Sequence, residues 1–167
     1  MDPGDLRFGS LRLSPAGVDE TGGVSVAVIN LTQVIRRPVG DVFDAIVDGG
    51  NFASWNPTVK RSRQLTPGPI VEGSQFEWHL RGFGPVRQEL QEFERDRRVR
   101  IVPHTKLLAG GHRFTLTKAG AETQVDHELE MVPRGAFRLF APIMGAIGRK
   151  NLQDTAGALK AHLERAR

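Results

Sequence analysis

Five histidines and no cysteine define most of the chemistry open to this 167-residue chain. His79, His104, His112, His127 and His162 are the side chains able to exchange a proton near neutral pH. None of them shows the close pairing of a metal-binding motif, so no metal site and no cofactor is expected. Without cysteine there is no thiolate nucleophile, no thiolate zinc site and no disulfide framework. Ser54, Ser62 and Ser74 lack the context of a nucleophile elbow. Gly82-Phe83-Gly84-Pro85 joins two strands and does not open a helix, so it is not a phosphate loop. Glu77 and Glu89 fall on solvent-facing positions and do not make a catalytic carboxylate pair.

His127 carries the sharpest signal, because it is the one ionisable residue on a strand face formed otherwise by Val125, Leu129 and Met131. A neutral imidazole there could hydrogen-bond a ligand carbonyl or hydroxyl, or act as general base in an aldol-type ring closure. The commoner situation is a core histidine satisfied by a backbone carbonyl or by water, and it carries more weight here than a direct chemical role. His112 follows Gly110-Gly111 at an expected strand start and is placed at a rim.

The elements that position these side chains follow from apolar periodicity. Val24 to Ile35 alternates with many β-branched residues and reads as a strand. Pro38 then opens a helix whose apolar stripe is Val39, Val42, Phe43, Ile46 and Val47, ended by Asp48-Gly49-Gly50. Asn51 to Trp55 supplies one more helical turn, closed by Asn56-Pro57. Strands are expected at Val59–Leu65, Ser74–Leu80, Val86–Phe93, Val99–His104, His112–Lys118 and Thr123–Val132, with turns that include Ala109-Gly110-Gly111. Short connections make this an antiparallel meander. A long closing helix carries Phe140, Met144, Ile147, Leu152, Leu159 and Leu163, with a kink or late start expected near Pro142.

The fold class is therefore α+β: a curved antiparallel sheet of about seven strands wrapped around a long C-terminal helix, with two short helices after the first strand. A helix covers about 10 Å of width, whereas seven strands span about 29 Å, so the sheet must curl and space is left inside. Strand alternation turns Phe76, Trp78 and Leu80, then His112, Phe114 and Leu116, then Val125, His127, Leu129 and Met131 toward that space. Phe140, Met144 and Ile147 should face them, and Trp55 should sit near the entrance. Apolar walls with a few polar groups suit a small-molecule site. Large aromatics such as Trp55 and Trp78 also fill cores generally.

The layout resembles the SRPBCC superfamily, which includes START-like lipid-binding domains and polyketide cyclase/dehydrase proteins. The resembling residues are Ile35-Arg36-Arg37-Pro38 with Val42-Phe43 and Ile46-Val47-Asp48, then Asn51-Phe52 and Trp55-Asn56-Pro57, and Gly73 with Phe76-Glu77-Trp78. Phe93-Glu94 before Arg97-Arg98-Val99, and Leu159-Lys160 with Leu163-Glu164, continue it. The resemblance covers about residues 24 to 165 and implies a helix-grip fold with a deep hydrophobic cavity, used by different members for lipids, sterols, hormones or polyketides.

Residues 1–23 are rich in Gly, Ser, Pro and Asp and read as a flexible tail, with residues 24–167 as the ligand-binding domain. Leu11 and Leu13 alternate and could add a short edge strand. The start does not resemble a secretory signal, and no apolar stretch is long enough for a membrane span, so a cytoplasmic protein is expected. The net charge of +4 gathers at Lys60, Arg61 and Arg63, at Arg95, Arg97, Arg98 and Arg100, and at Arg149 with Lys150. These read first as solvated faces, and nucleic acid is not an expected partner. Three functions result: binding, for transport or sensing and without catalysis, of a hydrophobic small molecule such as a lipid or polyketide-like compound between the sheet and the C-terminal helix, in the first place; a polyketide aromatase/cyclase-like enzyme using the same cavity with His127 as general base; and a basic surface for nucleic acid or anionic membrane, which would require steeply salt-dependent binding.

Overall fold

The computed structural model describes residues 11–14 and 27–165. Among the described residues, one antiparallel sheet holds all the strands. These are β1 (Leu11–Ser14), β2 (Ala27–Ile35), β3 (Val59–Gln64), β4 (Gln75–Leu80), β5 (Gly84–Glu94), β6 (Arg98–His104), β7 (Leu108–Ala119) and β8 (Glu122–Pro133). Their spatial order is β1-β2-β8-β7-β6-β5-β4-β3, so the first long strand and the last one meet in the middle and the meander runs outward from them. Between β2 and β3 lie helix α1 (Val39–Val47) and a 3-10 turn (Phe52–Ser54). A 3-10 helix (Gly135–Phe140) leads into the closing helix α2 (Ala141–Arg165).

Seven strands stand where alternation places them, and Leu11–Ser14 adds an eighth, pairing with residues 28–31 of β2 from within the segment read as a tail. Residues 24–26, expected to begin the first strand, lie outside the described residues. One turn is misplaced by the sequence. Gly110 and Gly111 stand inside β7, where φ values of 104° and 148° bend the strand, and the hairpin turn comes earlier, before Leu108. A Cβ on Gly110 would lie 2.2 Å from the Glu130 carbonyl oxygen, and one on Gly111 would lie 2.3 Å from that of Ile101. The glycine pair therefore lets three strands draw close at a bend. A second bend falls at Glu92, where the β5–β6 register shifts and the Glu72 carboxylate accepts the N–H groups of Glu92 and Phe93.

α2 begins at Ala141, which puts Pro142 in its first turn, where a missing N–H leaves no internal bond unmade. Its buried stripe runs Met144, Leu152, Ala156, Leu159 and Leu163. The later half of the helix is fastened by polar contacts. Gln33 Nε2 donates to the Ala156 carbonyl at 3.2 Å, Lys160 Nζ to that of Val34 at 2.8 Å, and the Arg37 guanidinium donates to that of Leu163 at 2.7 Å. Among the described residues, no side-chain hydrogen bond ties the helix to the sheet before Ala156.

The interior forms two apolar clusters. The larger gathers Val42, Phe43 and Ile46 of α1 with Phe76, Leu90, Val99, Phe114 and Leu159, and the smaller joins Ile29, Leu129, Met131, Met144 and Leu152. On the outer face of the sheet, Arg113 holds Glu92 through two contacts of 3.0 Å and Glu128 at 2.5 Å, while Arg100 holds Glu130 at 2.6 Å. Arg95 pairs with Asp44, and Arg97 and Arg98 with Glu94. The largest basic cluster of the sequence is thus an ion-paired mesh.

Gly49 tests how tightly the larger cluster is packed, since a Cβ there would meet the fully buried Phe76 ring at 2.6 Å. Gly49→Ala should lower unfolding free energy by about 1–3 kcal/mol. Gly157→Ala, on exposed helix with nothing within 4 Å, should raise it by about 0.5–1 kcal/mol. Urea unfolding of both variants checks the pair.

Candidate functional site

Two adjoining chambers open where the apolar clusters fail to meet, and their lining comes from both. The outer chamber has a volume of about 310 Å³ and is walled by Leu80, Leu108, Leu129, Met131, Phe137 and Met144, with Phe83 and Ile147 at its mouth. A chamber of this size falls at the low end of small-molecule pockets. The inner chamber is about 80 Å³, bounded by Phe52, Trp78, Ile101 and Phe114. Thr58, Leu80, Gln88, His112 and Asn151 line both, so they stand at the junction.

The polar groups at this junction set its chemistry. Gln88 is 4% exposed and Thr155 is 3% exposed, and both line the inner chamber. Among the described residues the buried Thr155 hydroxyl has no hydrogen-bond partner, and the Gln88 and Asn151 amides border the same space. An unsatisfied buried hydroxyl costs about 1–3 kcal/mol, which a ligand oxygen or a water in the chamber would recover. Asn56 differs, because its Oδ1 already accepts from the N–H and the hydroxyl of Thr58 at 2.9 and 2.7 Å, closing the turn after the 3-10 segment.

His112 and His127 form a direct pair, with His112 Nδ1 2.9 Å from His127 Nε2. Neighbouring strands hold them, since Phe114 of β7 sits opposite His127 of β8, and His112 sits opposite Leu129. The Phe114 ring stacks on His127 at 3.9 Å. One ring nitrogen of the pair must donate and the other accept, so the bond needs at least one neutral ring. Burial pushes the His112 pKa down to about 4. His127 is held well below its ordinary value, by burial first and by the neighbouring His112 second. The pair is therefore neutral at physiological pH. His127, 1% exposed, lines neither chamber and stands behind His112 and Phe114, which do.

The expected lining separates accordingly. Leu80, His112, Leu129, Met131, Met144 and Ile147 line the outer chamber, and Trp78 and Phe114 line the inner one. Phe76, Leu116 and Val125 are buried in the larger cluster away from both. Trp55 packs on Phe52 at 4.4 Å and lines neither. Trp78 is fixed by stacking on Phe52 at 4.2 Å and by donating its indole N–H to the Gly49 carbonyl at 2.8 Å. Phe140 lines neither chamber and is 50% exposed. His112 stands at the junction and not at a rim, because β7 begins four residues earlier, at Leu108. Sequence reasoning passed over Gln88, Asn151 and Thr155. The phase was available for two of them: Gln88 alternates with Leu90, and Thr155 falls three after Leu152 and four before Leu159.

Comparison with known proteins agrees with this architecture. Residues 26–164 match the family model described as polyketide cyclase / dehydrase and lipid transport, and the chain belongs to that family. No curated protein sequence matches it. A START superfamily protein from Mycobacterium smegmatis superposes with a TM-score of 0.70 at 15% identity, over 84% of this chain and 99% of that one. The Zhui aromatase/cyclase from Streptomyces sp. R1128 gives 0.69 at 15% identity, over 84% and 94%. The di-domain aromatase/cyclase BexL from the BE-7585A biosynthetic pathway gives 0.65 at 21% identity, over 85% of this chain and 51% of that chain. The shared structure is the helix-grip fold.

The histidine pair makes stability depend on pH in a definite direction. As pH falls, unfolded chains take up a proton on His112 near the ordinary value of 6.5, whereas the folded protein does so only near 4. The stabilising contribution is whole above the first value and is lost on the way to the second. Between about pH 7 and about pH 5 this ring should cost on the order of 2 kcal/mol, tempered where cavity water reaches it. Urea unfolding at both pH values should show a shallower loss for the double variant His112→Gln, His127→Gln than for the parent.

Proposed function

We propose that this protein binds an apolar small molecule bearing oxygen functions, such as a lipid, isoprenoid or polyketide-like compound, and that binding rather than catalysis is its primary activity. The observation that carries this reading is the Thr155 hydroxyl, unpartnered among the described residues, in the inner chamber reached through the apolar outer one, with the Gln88 and Asn151 amides lining the same space. Desolvation of the ligand body along Leu129, Met131 and Met144 supplies affinity, and the polar groups at the junction fix its orientation. Neutral His112 adds a hydrogen-bond partner at the same depth. With a pKa near 4 it is a weak proton acceptor at neutral pH, and general-base catalysis is most effective when that value lies near the working pH.

The second reading is a cyclase, favoured by the His112–His127 hydrogen bond. In it His112 would meet the substrate and His127 would hold the ring orientation behind it. A cyclase should lose turnover in His127→Gln while keeping ligand affinity, whereas a binder should show no turnover to lose.

Native mass spectrometry of freshly purified protein, followed by extraction of any retained compound, tests the leading reading directly. An apolar fluorescent probe should bind saturably and be displaced by that compound. Met144→Trp, which fills the outer chamber, should weaken the probe by about tenfold or more, and Thr155→Val should weaken oxygenated ligands more than hydrocarbons, by about 1 kcal/mol. Failure of chemically diverse apolar ligands to bind would overturn the proposal.

A further inference from the structure

The mouth of the outer chamber is surrounded by apolar side chains that face outward. Leu139 is 83% exposed, Ile147 56%, Ile143 53%, Phe83 52%, Phe140 50% and Leu107 46%. They come from three segments that touch one another. Phe83 of the β4–β5 turn meets Phe137 edge to face at 5.9 Å, and Phe137 lies 5.5 Å from Phe140. The Arg134 N–H donates to the Leu107 carbonyl at 2.9 Å, which joins the β6–β7 turn to the start of the 3-10 helix. Ile143 and Ile147 are one helical turn apart on α2, on a face separate from the buried stripe of Met144 and Leu152. The result is one continuous patch with the opening of the chamber in it.

Cations frame the patch. Met131 to Gln153 contains Arg134, Arg138, Arg149 and Lys150, of which Lys150 is paired with Asp154, and the stretches Leu80 to Pro85 and Thr105 to Leu108 add Arg81 and Lys106. Lys106 and Arg134 share one surface cleft beside the mouth. Two acids stand near this end and both are already paired, Glu130 with Arg100 and Asp154 with Lys150, which leaves Lys106, Arg134 and Arg138 without an ion pair among the described residues.

We propose that this end of the molecule docks on an anionic phospholipid bilayer. Leu139, Phe140 and Ile143 enter the boundary between headgroups and acyl chains, while Arg134 and Arg138 engage lipid phosphates. Exposed aliphatic and aromatic tips bordered by cations are the pattern of interfacial binding, in which apolar insertion and electrostatic attraction add. A second copy of the chain fits the patch less well, because a two-fold contact would set one cation-bordered patch against another of the same sign. Docked in this way, the chamber opens toward the acyl region, so an apolar ligand can enter or leave without crossing water. The surface does not depend on which compound the chamber holds.

The test is co-sedimentation of the full chain with vesicles of phosphatidylcholine alone and of phosphatidylcholine with phosphatidylglycerol. Binding should be at least about tenfold tighter to the anionic vesicles and should weaken as salt is raised. Arg134→Glu with Arg138→Glu should reduce it by at least about 20-fold, since each cation near such a surface contributes about fivefold. Leu139→Ser with Ile143→Ser, at positions lining neither chamber, should reduce it by about tenfold. Both variants should melt as the parent does and keep parental affinity for an apolar probe in solution, which separates failure of docking from failure of the cavity. Absence of binding to anionic vesicles, or binding that neither variant alters, overturns the proposal. So does a dimer in solution that Ile143→Ser dissociates without any vesicle binding.

Discussion

The closing helix is fastened at one end, and much of the structure depends on that asymmetry. From Ala156 to Leu163 its carbonyls accept from Gln33 and Arg37 and its own Lys160 donates to the Val34 carbonyl, all against β2 and the residues just after it, and its apolar stripe completes the larger cluster. Its first half packs inward through Met144, Gly148 and Leu152, against the smaller cluster. A sheet bent at Gly110-Gly111 and at Glu92 wraps the whole length of a rod that fills only part of the width enclosed. The chambers are what remains between a closed end and an open one.

The polar groups inside carry an energetic meaning. A buried hydroxyl could have been turned toward a nearby partner, as Asn56 is toward Thr58, yet Thr155 borders the cavity without one among the described residues, and the Gln88 and Asn151 amides line the same space. Leaving such groups unsatisfied is costly in an apolar interior, so their presence is most readily understood with a hydrogen-bonding guest or ordered water in place. The histidine pair follows the opposite principle. One nitrogen of each ring is paired with the other ring, and His112 presents its remaining surface to the chamber as a neutral group.

Much of the fold was legible in the sequence because most strands have one apolar face and therefore alternate. β8 shows this most clearly, and the burial of His127 follows directly from its phase with Val125 and Leu129. Gly110-Gly111 misled the reading for a physical reason: two glycines permit a turn, but they also permit three strands to approach, and composition does not separate the two cases. That single shift moved His112 from a rim to the junction. The closing helix misled it in another way. Phe140, Met144 and Ile147 were grouped as one stripe, whereas Met144 is buried, Phe140 faces outward and Ile147 stands at the opening. Helical periodicity finds apolar faces but not which of two faces has a partner. Gln88 and Thr155 were passed over because polar residues at inward phases look like interruptions of a core.

The one-sided fastening of the last helix also separates two tasks within one element. Residues beyond Ala156 secure the architecture, while those before Leu152 shape the space inside. Substitutions in the front half can enlarge, narrow or recolour the binding volume with little penalty to the anchoring half. A scaffold divided in this way can change what it accommodates over generations without rebuilding how it holds together.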